Sequence, residues 1–172
     1  MASKASFSPD EWTKLLQGVM MAGIAVTAAD PSGLWGTVKE SMTAGQTLLE
    51  AKTDAGSSEL IKAVVADFET AEGRATAGER LRADFTGSRP ADVKARAVAA
   101  VREAGALLDA RAPEDAAAFK AWLRHISQAV AEASTEGGFL GIGGVRVSDA
   151  EKATLAEISD ALGLKRTSTT GV

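Results

Sequence analysis

Apolar positions recur every three or four residues along most of this chain, the spacing of one helical face. In the stretch SPDEWTKLLQGVMMAGIAVTAA, that face is made by Trp12, Leu15, Leu16, Val19, Met20, Gly23 and Ile24. Its start is signalled by Ser8 at the cap, Pro9 at the first helical position and Glu11 three residues on, a capping box. Gly18 and Ala22 stand one turn apart. Small residues so placed let a neighbouring helix approach closely.

The same punctuation returns along the chain. Asp30 and Pro31 open a second helix running to about Lys52, with Leu34, Trp35, Val38, Met42, Leu48 and Leu49 on one line. After the turn-forming TDAGSS, residues 58–73 carry Leu60, Ile61, Val64, Val65 and Phe68. The charged stretch 73–90 is broken by Gly73, Gly78, Gly87 and Pro90, and holds at most a short helix around Leu81 and Phe85. Pro90 opens a helix with Val93, Ala97, Val101, Ala104 and Leu108 inward, and Pro113 opens another with Phe119, Trp122, Leu123, Ile126 and Val130. Ser148 and Glu151 form a second capping box, and Gly163 is a natural stop for the last helix. Only Val145–Val147 has strand character. The pattern predicts one all-α domain over residues 1–172, a compact bundle of six or seven helices with a Gly-rich loop before the last, and disordered tails at 1–7 and 165–172.

That loop, within EGGFLGIGGVRVSDAE, raises the question of a phosphate cradle. Gly138, Gly141 and Gly143 give G-x-x-G-x-G, the reverse of the dinucleotide spacing, and a helix rather than a strand precedes them. Val145 and Arg146 stand where a P-loop has Lys and then Ser or Thr. Asp149 and Glu151 put negative charge at the following helix start, which repels an anion. The stretch is best taken as a joint whose Phe139, Leu140 and Ile142 tuck against the bundle.

Composition narrows the function. Alanine is abundant and Tyr absent, which favours helix. The chain has no cysteine, so it holds no disulfide or thiolate metal site, and its makeup suits a reducing cytoplasm. The net charge is -4, and both signs are interspersed, which argues against a nucleic-acid groove. The longest apolar run, residues 15–29, is interrupted by Gln17 and Thr27 and falls short of the about 20 residues of a membrane span.

From Gly143 onward, GGVRVSDAEKATLAEISDALGL is similar to the helix-opening motif of the tellurite-resistance TerB-like helical family. Gly144, Val147, Ser148, Glu151, Leu155, Ile158, Leu162, Gly163 and Leu164 fit that motif. The stretch IAVTAADPSG resembles an earlier element of the family, with Asp30 at its acidic position. Gly143 and Pro31 depart from the pattern. The resemblance implies an all-α fold, a place in a stress-related assembly, and a divalent-cation site drawn from Asp30, Asp149 and Glu151.

Other chemistry is limited by inventory. His125 is the sole histidine, which excludes a multi-histidine metal site. A histidine phosphotransfer role would want Lys and Gly soon after it, whereas Ser127, Gln128 and Ala129 follow. Trp12, Trp35 and Trp122 lie on the apolar faces of three helices. Each is a core residue whose indole N–H seeks an acceptor at the core's edge. The alternative is that together they line a cavity for a small apolar ligand. The expectation is a non-enzymatic cytoplasmic binding or interaction domain that engages a protein partner or itself.

Overall fold

The computed structural model describes residues 2–29, 46–48, 50–54, 56–73, 75, 89–135 and 147–164. Within them the chain is an all-α bundle of helices packed against one another, with no strand. A 3-10 turn at Lys4–Ser6 precedes α1 (Pro9–Thr27). Then come α2 (Glu59–Glu69), α3 (Pro90–Arg111), α4 (Pro113–Thr135) and α5 (Asp149–Ala161). Residues 46–48 and 50–53 are also helical. The Gly-rich loop, the tail from residue 165, and the expected elements around Trp35 and Leu81 lie outside the described residues.

The termini follow the local chemistry of the sequence. The Ser8 hydroxyl accepts from the Glu11 amide at 3.2 Å, and the Glu11 carboxylate accepts from the Ser8 amide at 2.8 Å. Ser148 and Glu151 repeat the exchange at 3.2 and 2.8 Å. Each box satisfies two amides that the first helical turn otherwise leaves without partners. At the far end of α5, Gly163 takes φ of 67°. Its amide donates to Asp160, and the Leu164 amide reaches back to the Ser159 carbonyl, closing a Schellman motif.

α1 is the central element, packed against the other four helices. Leu15, Ala22 and Ala25 are fully buried, as are Val101, Ala104 and Leu108 of α3 and Phe119 and Leu123 of α4. The α1–α3 crossing is tight at Gly18. A Cβ placed there would stand 2.5 Å from the Ala104 Cβ, closer than real carbons come. One turn on, the buried Ser127 hydroxyl of α4 donates to the Ala22 carbonyl at 2.9 Å. The small-residue strip of α1 is therefore an intramolecular packing face. No helix among the described residues is long and apolar enough to cross a membrane.

Two boundaries differ from the sequence expectation. α2 ends at Glu69 rather than near residue 73, because Thr70 turns the chain. Its hydroxyl donates to the Asp67 carbonyl at 2.7 Å and accepts from the Gly73 amide at 2.9 Å. The expected disordered tail at 1–7 is corrected for residues 2–7, which form a strap docked on the bundle. The Ala2 amide donates to the buried Asp115 carboxylate of α4 at 2.7 Å, and Phe7 is buried. These two anchors, with the Lys4–Asp67 ion pair, outweigh the conformational entropy that favours a free terminus.

Gly18→Ala and Gly23→Ala should have opposite effects in urea denaturation. Both gain helix propensity, roughly 1 kcal/mol. At Gly23 the nearest atom to an added Cβ, Val130 Cγ2, is at an ordinary 3.6 Å, so that variant should match or exceed the parent. At Gly18 overpacking against Ala104 should dominate, for a net loss of about 1–3 kcal/mol.

Candidate functional site

The first turn of α1, the strap and the end of α2 meet in an open groove. Trp12 forms its floor with Phe7, Pro9 and Leu16, while Lys4, Asp67, Thr70 and Glu72 lie along its sides. The groove encloses ≈ 490 Å³, within the range of small-ligand sites, about 300–1,000 Å³.

Each functional group is placed by a local feature. Trp12 occupies a buried position near the α1 start, and Phe7 sets its ring 5.9 Å away at 51°. Asp67 falls in register with Leu60 and Val64, so its carboxylate points to the buried side of α2 while reaching its end. The Trp12 indole N–H donates to Asp67 Oδ2 at 2.6 Å. The Lys4 ammonium donates to both Asp67 oxygens at 2.8 Å and stands 5.5 Å from the Trp12 ring centroid. One carboxylate thus orients an indole edge and an ammonium together. Gly73 closes the wall, since a side-chain carbon there would overlap the Asp67 carbonyl.

Burial is the largest single influence on Asp67 and raises its pKa. The hydrogen bonds from Lys4 and Trp12 and the lysine charge together outweigh it, and hold the carboxyl below its ordinary range. Glu11 is also lowered, first by the Ser8 amide and then by Arg111, whose guanidinium it meets at 2.7 Å. That pair ties the α1 start to the α3 end beside the groove.

The predicted site residues do not converge. Trp12 lines the groove, but Trp122 does not. Trp122 is buried edge-on to Phe119, with ring centroids 5.2 Å apart, and its indole N–H has no acceptor among the described residues. Trp35 and Asp30 lie outside the described residues. Asp149 is fully solvent-exposed and pairs with Lys152 at 3.3 Å, whereas Glu151 is buried with its carboxylate engaged by the Ser148 amide. Among the described residues no group of three metal-ligating side chains forms. His125 is exposed on α4.

Lys4, Phe7 and Asp67 were not singled out by sequence reasoning. A signal existed for one of them: a carboxylate in register with the stripe Leu60–Val64, and an indole across the core in need of an acceptor.

Because Asp67 titrates lower in the folded chain than its ordinary value of 3.8, its contribution to stability is complete above that value. It is lost as pH falls through the lower folded value. Asp67→Asn should cost about 1–2 kcal/mol by urea denaturation at about pH 7. The gap to the parent should narrow steadily on acidification below the ordinary carboxylate range. A gap that stays constant with pH would show that the carboxylate charge is immaterial.

Comparison with protein-family models, with curated proteins and with solved structures found no match.

Proposed function

We propose that this chain is a non-enzymatic cytoplasmic binding domain whose recognition face is the groove over Trp12. The observation that carries this reading is a fixed carboxylate set beside an aromatic floor in an accessible groove of ≈ 490 Å³. An apolar floor supplies affinity, and a few oriented polar groups supply selectivity. Asp67, held ionised below its usual range, is a weak proton acceptor, so it suits holding a ligand better than moving a proton. The cysteine-free composition supports a cytoplasmic setting. The TerB-like resemblance supports a place in a stress-related assembly with a partner protein or a second copy.

A fragment screen followed by amide and indole NMR tests the reading. Hits should move the Trp12 indole signal, assigned by its loss in Trp12→Phe, together with the amides of Thr13, Thr70 and Gly73. The Trp122 indole should stay still. Hits confined to Trp122, or none at all, would overturn the proposal. A calcium- or zinc-dependent rise in melting temperature that vanishes in Asp149→Ala would instead favour a cation site at the α5 start.

A further inference from the structure

We infer that the groove is a primary-ammonium site whose built-in occupant is Lys4. The inference rests on the binding reading above and names its ligand class: an ammonium on an aliphatic stem, as in a free alkylamine or a lysine side chain. The recognition elements are already displayed by the chain itself. The Lys4 ammonium donates to both Asp67 carboxylate oxygens at 2.8 Å and lies 5.5 Å from the Trp12 ring centroid, an ion pair combined with a cation–π contact.

The carboxylate does not depend on Lys4 for its position. Trp12 donates to it at 2.6 Å from the floor, and it projects from the end of α2, whose burial of Leu60, Val64 and Val65 holds that helix in place. Lys4, by contrast, is carried on a short strap, and its side chain remains 59% exposed. A partly exposed ion pair contributes little net stability, so it is open to exchange. With Lys4 swung out, the described residues lining the groove keep two acids, Asp67 and Glu72, and include no other cation. The vacated position is then electrostatically suited to a second ammonium and hostile to an anion.

Lys4 therefore competes with any external amine as a tethered ligand. A tethered group acts at an effective concentration on the order of millimolar. Removing it should strengthen amine binding by about tenfold or more.

The test uses n-pentylammonium, its neutral counterpart 1-pentanol, and a synthetic peptide of residues 2–8, each titrated into the parent and Lys4→Ala proteins. The readouts are the Trp12 indole signal and tryptophan fluorescence. Pentylammonium should bind Lys4→Ala saturably, about tenfold more tightly than the parent, and pentanol should not compete. Binding should weaken with added salt and fall at least tenfold on introducing Asp67→Asn, with near-UV circular dichroism confirming that the double variant is folded. If that variant unfolds, the amine-against-alcohol contrast decides alone. Tighter binding of the peptide than of pentylammonium would assign the site to lysine-bearing segments, and the reverse order to free amines. Equal binding of amine and alcohol, or no gain in Lys4→Ala, overturns the inference. Fragments that still moved Trp12 would then leave the binding reading standing, whereas their failure as well would remove both.

Discussion

At the crossing of α1 and α3, Gly18 faces the methyl group of Ala104 with no room for another carbon between them. This contact sets the distance between the two helices that, among the described residues, contact each other most extensively. Dispersion and apolar burial both fall off within a fraction of an ångström of poor fit, so the spacing governs how well Leu15, Ala22, Val101 and Leu108 pack. The α1 start, which carries Trp12, meets the α3 end at the Glu11–Arg111 ion pair.

Much of the architecture was legible because it depends on chemistry local to a few residues. Ser8–Glu11, Pro90, Pro113, Ser148–Glu151 and Gly163 mark helix ends by hydrogen-bonding and φ preferences that need no tertiary partner. The inward face of α4 and most of that of α3 followed from periodicity, whereas in the second half of α1 Met21, Ala22, Ala25 and Val26 are buried in place of the expected Met20, Gly23 and Ile24. The strap was not legible, because its order comes from Asp115 and Asp67, 113 and 63 residues away in sequence. The end of α2 was missed for a related reason. Phe68 extends the apolar pattern, and only the double use of the Thr70 hydroxyl breaks it.

The site was harder to see than the fold because carboxylates look alike in sequence and differ in employment. Glu11 and Glu151 cap helices, Asp115 receives the strap, and Asp67 orients an indole and an ammonium. Position relative to a helix end and to a buried stripe separates these roles. Asp149 and Glu151, two residues apart, show how sharply: one is bathed in solvent and the other enclosed. The three tryptophans carried a similar ambiguity. Trp12 gained an acceptor because α2 ends beside it, and Trp122 gained an aromatic neighbour from its own helix.

The strap has a consequence for how the chain folds. Its anchors sit on α2 and α4, and the Ala2–Asp115 bond closes a loop of nearly two thirds of the sequence. Closing so long a loop gains nothing until the helices that carry its anchors are already assembled. The strap is thus the final piece to lock. By the same token it can open while the bundle stays intact, a local excursion far less costly than global unfolding. The strap residues that line the groove can therefore move without disturbing the core on which Trp12 sits.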